Sequence, residues 1–226
     1  MFEQLIKREN TIFNILEDFI NAKLNFIVVG GYAISAYKHR FSVDADIIIK
    51  NEDKTKFEEI LKKRKLIKTT TKELNHAHTK EFIRYKTRDK FPVNIDLLIN
   101  GIGSRTTNAS YSLEELEKYS QKRKIIGRQK EIIVLIPNKE ILITLKLHSG
   151  RLTDFRDIAA LGKDLDFKLI SSLIWRGKRE IVKNNIKKLL SLLEKKEFID
   201  SFKGVFIEKK YDTDLEEIKK FNQLLD

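Results

Sequence analysis

VVGGYAISAYKHRFSVDADIII, residues 28–49, places two glycines after a short apolar strand and two aspartates at the start of another. Because successive side chains of a strand point to opposite faces, Asp44 and Asp46 are predicted to share one face of a sheet. Two carboxylates at this spacing repel each other, and a hard divalent cation with oxygen ligands relieves the repulsion. The stretch therefore predicts a strand, turn, helix and strand that together present a carboxylate pair.

A third carboxylate, Asp96, stands in the apolar run VNIDLLI, residues 93–99. A charge in such a strand is costly to bury unless a cation meets it. If this strand lies beside the first, Asp44, Asp46 and Asp96 converge on one point. We predict that the three hold one or two Mg²⁺ or Mn²⁺ ions for phosphoryl-type transfer, with the ions bridging the attacking oxygen and the leaving phosphate.

The residues around the aspartate pair fit phosphate binding. The glycines Gly30 and Gly31 let backbone N–H groups at a helix start approach a phosphate closely, although such a pair also occurs in ordinary turns. Arg40 and Ser42, just before the aspartates, offer a guanidinium and a hydroxyl to the same ligand. We predict that these four residues bind the phosphate groups of a substrate.

The pattern of the whole chain predicts an α+β protein. Helical spacing in residues 1–22, 32–39, 53–64 and 112–119 alternates with strand patterns at 26–30, 44–49, 80–87, 91–100 and within 122–136. From Pro137 onward the pattern is helical to the end. We predict a mixed sheet flanked by helices in a catalytic domain, residues 1–136, followed by a C-terminal helical bundle, residues 137–226.

Composition narrows the possible chemistry. The chain has no cysteine, which excludes disulfides, thiolate metal sites and cysteine nucleophiles. No apolar run reaches membrane-spanning length, and the first 20 residues lack a signal-peptide pattern, so we predict a cytoplasmic protein without a membrane partner. The formal net charge of +12 favours a nucleic-acid partner but also fits a chain rich in Lys and Glu. His76 and His78 have the spacing of two ligands, yet too few other ligands surround them to predict zinc.

Together, Gly30-Gly31, Asp44-x-Asp46 and Asp96 resemble the nucleotidyltransferase superfamily of the DNA polymerase β type. The string GGYAISAYKHRFSVDADI, residues 30–47, is most similar to the branch that includes AbiEii-type toxins and minimal nucleotidyltransferases. This likeness covers residues 26–100. Many members have Ser where this chain has Tyr32.

The later stretch ILITLKLHSGRLTDFRDIAAL, residues 141–161, resembles the same branch, which has a helical Lys followed by a basic–acidic pair. The resemblance implies that Lys146, Arg156 and Asp157 bind the nucleotide, with the helical domain closing the nucleotide cleft. A buried lysine needs an anionic partner, and a triphosphate supplies one. The alternative is that Lys146 extends to the surface and that Arg156 and Asp157 pair with neighbouring helices.

The resemblance implies transfer of a nucleoside monophosphate from an NTP to an acceptor hydroxyl, with release of pyrophosphate. An RNA such as tRNA, or a protein, is the expected acceptor. Two alternatives remain: a toxin that uses the same chemistry and has a separate antitoxin, and a noncatalytic nucleotide- or RNA-binding module. The presence of all three aspartates favours an enzyme.

Overall fold

A computed structural model of the chain describes residues 2–225. The nine strands are β1 Ile27–Val29, β2 Asp44–Ile49, β3 Ile67–Glu73, β4 Glu81–Lys86, β5 Asn94–Ile99, β6 Gly101–Gly103, β7 Ser110–Ser112, β8 Ser120–Ile126 and β9 Glu131–Pro137. The ten α-helices are α1 Phe2–Asn21, α2 Gly30–Ser35, α3 Lys54–Lys63, α4 Leu113–Lys118, α5 Lys139–Ser149, α6 Leu152–Leu161, α7 Phe167–Ile174, α8 Arg179–Leu192, α9 Lys196–Phe206 and α10 Leu215–Lys219. Two short 3₁₀ helices span Asn51–Asp53 and Lys220–Leu224.

Two compact units divide the described chain. Unit 1 comprises the residues up to Ile102 together with Tyr111–Pro137, and unit 2 comprises Gly103–Ser110 together with the residues from Asn138 onward. Unit 1 contains the large sheet, and unit 2 contains helices α5 to α10. The mixed sheet with flanking helices, followed by helices alone, confirms the predicted α+β class.

The sheet of unit 1 has seven strands in the order β3-β4-β5-β2-β1-β9-β8. Strand β2 runs antiparallel to β1 and parallel to β5, which in turn runs antiparallel to β4. The strand that carries the aspartate pair is therefore in the middle of the sheet. Its neighbour β5 carries the third aspartate, as the sequence predicts.

One face of the central strands is apolar and buried. It carries Ala45, Ile47 and Ile49 of β2, followed by Ile95 and Leu97 of β5, and all five are at most 2% exposed. On the opposite face, the first residues of both strands are polar. Polar and apolar residues therefore alternate in the first half of each strand, and both faces are buried in the second half.

Helix packing in unit 1 relies on aromatic side chains. Phe19 of α1 and Phe57 of α3 are fully buried, and their ring centroids are 4.8 Å apart. Phe13 of α1 lies 5.9 Å from the ring of Tyr32 on α2. These contacts hold α1 against both α2 and α3, so the first helix braces the turn that carries Gly30.

Helix α5 is the centre of unit 2, where it packs against α6, α7 and α8. The Asn138 side chain accepts a hydrogen bond from the backbone of Ile141 and begins this helix, and Gly150, at φ 67°, ends it. His148 near its end is buried, and its Nδ1 lies 2.8 Å from the Thr107 hydroxyl. Burial, with the nearby charge of Arg176, lowers the pKa of His148 to about 4, so this imidazole is neutral at pH 7.

Two features differ from the sequence pattern. Strand β3 was not predicted: it is an edge strand whose side chains are almost all exposed, so it lacks an apolar face. The segment Gly103–Ser110 groups with unit 2 and not with the sheet that precedes it. None of the helices within residues 2–225 is both long and apolar enough to cross a membrane.

Candidate active site

Two rows of polar side chains cross the three strands β2, β5 and β4 in unit 1. In the first row Asp46 is the register partner of Asp96, and Asp96 is the partner of Arg84. In the second row Asp44 is paired in the same way with Asn94, and Asn94 with Lys86. Register partners on neighbouring strands share a face and lie about 5 Å apart. The structure therefore brings the three predicted aspartates together on one face.

The carboxylate of Asp96 is held by Arg84. Nε of Arg84 donates to Oδ1 of Asp96 at 2.7 Å, and Nη2 donates to Oδ2 at 2.5 Å. Burial raises the pKa of Asp96, and the hydrogen bonds and charge of Arg84 act in the opposite direction. The same hydrogen bonds raise the pKa of Arg84, so the guanidinium stays charged. Sequence analysis missed Arg84, whose partner lies on another strand.

The first glycine of the pair lies against Asp46. Gly30 has φ 65°, a left-handed conformation that favours glycine, and a Cβ added there would lie 1.9 Å from Oδ2 of Asp46. A side chain at position 30 would therefore occupy the space of that carboxylate. This contact explains why the residue that follows β1, the first residue of α2, must be glycine.

The second glycine faces the loop that leads to the aspartates. A Cβ on Gly31 would lie 2.8 Å from the Ser42 hydroxyl and 3.3 Å from Nη2 of Arg40. The structure thus brings Gly31, Arg40 and Ser42 together beside β2. Ser42 donates to the Asp44 carbonyl at 3.0 Å, and the Tyr32 hydroxyl donates to the carbonyl of Ser42. Tyr32 therefore supports the loop from within the core.

A buried carboxylate, which sequence analysis missed, holds the same loop. Glu9 of α1 is 1% exposed, and its Oε1 lies 2.9 Å from Nε2 of His39. The backbone N–H of Arg128 donates to the other oxygen of Glu9 at 2.7 Å. Glu9 thus connects the first helix, the loop with His39 and the β8–β9 turn. The sequence signal for this role is the position of Glu9 on the buried face of α1.

Asn94, the third residue that the sequence pattern does not single out, orients Asp44. Its Nδ2 donates to Oδ1 of Asp44 at 2.5 Å. Asn94 precedes Asp96 by two residues, just as Asp44 precedes Asp46, so the period of a strand could have placed it on the same face. The donor fixes one oxygen of Asp44 and leaves the other available to a ligand.

The donor chemistry of the two rows fits a hard cation only in part. Asp44 and Asp46 offer carboxylate oxygens on one strand, which suit Mg²⁺ or Mn²⁺. Asp96 offers both oxygens to Arg84 instead. Among residues 2–225 no group of three or more His, Asp or Glu side chains is arranged to hold a metal ion. Asp44 and Asp46 thus fit a metal, whereas Asp96 fits one only after Arg84 moves.

The remaining predicted site residues lie in unit 2. Lys146 of α5 is 8% exposed, and its Nζ donates to Asp154 at 3.0 Å and to Asp157 at 2.6 Å, both on α6. The ammonium therefore has two fully buried carboxylates as partners, and its burial needs no nucleotide. Arg156 donates to the Ser201 hydroxyl of α9. Sequence analysis missed Asp154, and the nucleotide-binding roles of Lys146, Arg156 and Asp157 remain predictions.

Two runs rich in Lys and Arg, residues 62–68 (KKRKLIK) and 122–130 (KRKIIGRQK), are candidates for a basic surface that binds nucleic acid, and in unit 1 they lie apart. Residues 62–68 end α3 and begin β3, whereas residues 122–130 form β8 and its turn, and β3 and β8 are opposite edges of the sheet. Several of their cations pair with acidic neighbours, including Arg64 with Asp18 and Lys124 with Glu131. The runs therefore do not form one continuous basic rim.

His76 and His78 lie in the β3–β4 connection, away from the aspartates along the strands. Arg84 is three residues beyond Glu81, where β4 begins, which corresponds to about 10 Å. His76 is buried and helps to line a cavity of about 770 Å³ with neighbours such as Glu73 and Lys80. Neither histidine belongs to the two rows.

Comparisons with known proteins support the fold. No protein-family model and no curated protein matches the chain. The antibiotic-resistance factor ANT(2″)-Ia in solution matches with a TM-score of 0.52 and 15% identity, over 77% of this chain and 91% of that one. Its crystal structure with adenylyl-2″-tobramycin gives 0.52 and 16%, over 73% and 93%. The lincosamide antibiotic adenylyltransferase LnuA, lincomycin-bound, gives 0.48 and 18%, over 70% and 98%.

Proposed function

We propose that this chain, which has the nucleotidyltransferase fold predicted from its sequence, transfers a nucleoside monophosphate from an NTP to an acceptor hydroxyl. The observation that carries the proposal is the row of Asp46 and Asp96 on adjacent strands, with Asp44 two residues away on the same face. Gly30 lies against this row and adds no side chain of its own to the space beside it. An arrangement of this kind suits phosphoryl chemistry, in which positioning and charge stabilisation do most of the catalysis.

In the proposed reaction the acceptor hydroxyl attacks the α-phosphorus and the bond to pyrophosphate breaks. Asp44 and Asp46 would hold Mg²⁺ or Mn²⁺, which supplies neutralisation of the phosphate charge. Asn94 keeps Asp44 oriented for this role. Asp96, once free of Arg84, lies beside Asp46, and it would be the third ligand of the ion and would help to take up the proton of the attacking hydroxyl. Gly31, Arg40 and Ser42 would bind the phosphates of the NTP, because their polar atoms meet beside β2.

The direct test is a labelling screen. The purified chain is incubated with Mg²⁺ or Mn²⁺ and each α-labelled NTP, together with total RNA or total protein from cells. Label that enters either pool, with release of pyrophosphate, supports the proposal and identifies the acceptor class. Absence of transfer from all four NTPs to both pools, by protein that binds nucleotide, would favour a small-molecule acceptor if pyrophosphate is released with cell extract, and the noncatalytic module if it is not.

Metal with nucleotide is expected to stabilise unit 1. Since a ligand that binds only the folded state stabilises it by mass action, Mn²⁺ and NTP at about 100 times Kd should raise the melting temperature by about 5 °C. Differential scanning fluorimetry measures the shift, with an Asp44→Asn, Asp46→Asn double variant as the control. An equal shift in wild type and double variant would locate the metal elsewhere.

RNA is the proposed acceptor, supported by the net charge of +12 and by Lys86 and Arg84 on the same face as the aspartates. Binding that neutralises about five phosphates of a single strand should weaken roughly a hundredfold between about 50 and 200 mM salt. Lys86→Gln should reduce the slope of log affinity against log salt by about 0.7. Lys187→Gln on α8 should leave that slope unchanged. Affinity that does not depend on salt would favour a protein or small-molecule acceptor.

The toxin role and an antitoxin partner follow only from the resemblance and stay predictions. If the same chemistry modifies an essential RNA, expression of the wild-type chain should arrest growth. Colony counts after induction, with Asp46→Ala as the control, measure this directly.

A further inference from the structure

The contact between Arg84 and Asp96 is the one feature of the two rows that conflicts with a three-aspartate metal site. Both oxygens of Asp96 accept hydrogen bonds from the guanidinium. The Asp96 side chain is 3% exposed, so solvent does not compete for it, whereas the Arg84 side chain is 36% exposed. The Asp96 carboxylate is therefore held in place, whereas the Arg84 guanidinium can move toward solvent.

We propose that Arg84 is a positioning residue that occupies Asp96 in the metal-free protein and competes with a divalent ion for that carboxylate. The proposal rests on the proposed function, because it assumes that Asp96 is the third metal ligand. Binding through Asp96 requires that the guanidinium first moves away.

Charge and geometry support the competition. A two-pronged guanidinium contact uses the lone pairs that a carboxylate would direct at a metal ion, and Arg matches this geometry better than Lys. A divalent ion beside the row would also repel the guanidinium. Without the ion, Arg84 protects a nearly buried carboxylate from being left without a cation, which is costly. The divalent ion and the Arg84 guanidinium therefore exclude each other at the Asp96 carboxylate.

Phe82, in addition to Asp96, contacts the guanidinium of Arg84. Phe82 precedes Arg84 by two residues on β4 and so lies on the same face, and the guanidinium carbon is 5.7 Å from its ring centroid. Cations bind aromatic faces at this distance. The guanidinium can therefore turn from Asp96 while it keeps its contact with the ring.

The chain offers a matched control in Lys86. It carries the same charge as Arg84, on the same strand and the same face, but its register partner is Asn94 and not Asp96. Removal of Lys86 lowers the local positive charge without releasing the carboxylate of Asp96. A comparison of Arg84→Gln with Lys86→Gln therefore separates competition for Asp96 from general repulsion of a cation.

Mn²⁺ binding, followed by the electron paramagnetic resonance of the free ion and by calorimetry, tests the proposal on the nucleotide-free chain. Arg84→Gln is expected to raise the Mn²⁺ affinity roughly tenfold, because it removes charge-assisted hydrogen bonds that compete with the ion for Asp96. Lys86→Gln should raise it less than about threefold. In an Asp96→Asn background, Arg84→Gln should no longer raise the affinity. Equal effects of the two single variants, or an Arg84 effect that persists in the Asp96→Asn background, would overturn the proposal.

Two further measurements keep the test decisive. If Arg84→Gln does not fold, Arg84→Lys retains a charge but loses the two-pronged contact, and it should give an intermediate Mn²⁺ affinity. Circular dichroism melting establishes folding before each titration. The expected Mn²⁺ pattern without any nucleotidyl transfer would refute only the proposed function. Transfer by wild type, with an Arg84 variant that binds Mn²⁺ like the Lys86 variant, would refute only the role of Arg84.

Discussion

Asp46→Asn is expected to reduce nucleotidyl transfer by at least about a thousandfold. The amide removes the negative charge that lies between Gly30 and Asp96, and with it one of the carboxylates proposed to hold the metal. Label transfer from an α-labelled NTP to the acceptor measures the loss. Because one of several neighbouring like charges is removed, the melting temperature should stay the same or rise.

Asp89→Asn is the matched control for this variant. Asp89 is exposed in the connection between β4 and β5, and the substitution makes the same change of one carboxylate to an amide in unit 1. It should retain transfer within about twofold of wild type. Full activity of Asp46→Asn would refute the assignment of the site. A parallel loss in both variants would point to a general effect of charge.

Lys146→Met is expected to destabilise unit 2 by about 3–5 kcal/mol. The ammonium of Lys146 lies between Asp154 and Asp157, and both carboxylates are fully buried. Arg151 also donates to Asp154, but its side chain is largely exposed, so it does not replace a buried ammonium. Urea unfolding followed by the fluorescence of Trp175, which lies in unit 2, measures the change. Lys187→Met on α8, an exposed lysine, should change stability by less than about 0.5 kcal/mol.

The free energy of unfolding of Lys146→Met should also depend on pH differently from that of the wild-type chain. Burial alone raises the pKa of Asp154, but the hydrogen bond from Arg151 and the charges of Lys146 and Arg151 lower it to about 2. A carboxyl with a lowered pKa contributes stability above its unfolded value of about 3.9, and this contribution is lost as pH falls toward about 2. In Lys146→Met that acid-dependent loss should shrink. An unchanged free energy of unfolding and pH profile would show that Lys146 does not stabilise these carboxylates.

Much of the candidate site could be predicted from the sequence because its signals are local. The two-residue period of a strand places Asp44 and Asp46 on one face whatever surrounds them, and Asp96 is conspicuous in an apolar run. The helical pattern after Pro137 depends only on the spacing of apolar residues, which is equally local.

Contacts between residues distant in the sequence could not be predicted in this way. The pairing of Arg84 with Asp96 depends on the register between β4 and β5, and Glu9 meets His39 and the backbone of Arg128 only when α1 packs. Strand β3 has polar residues on both faces and is identifiable as a strand only through its pairing with β4.

The sequence by itself determined which residues are candidates for the chemistry, because residue type and local period decide which side chains share a strand face. Only the tertiary structure decided what those side chains meet. Asp96 meets Arg84, and Lys146 meets Asp154 and Asp157, through strand register and helix packing. A buried charge is stable only with a partner of opposite charge, and packing selects that partner among many candidates in a chain with 45 basic and 33 acidic residues.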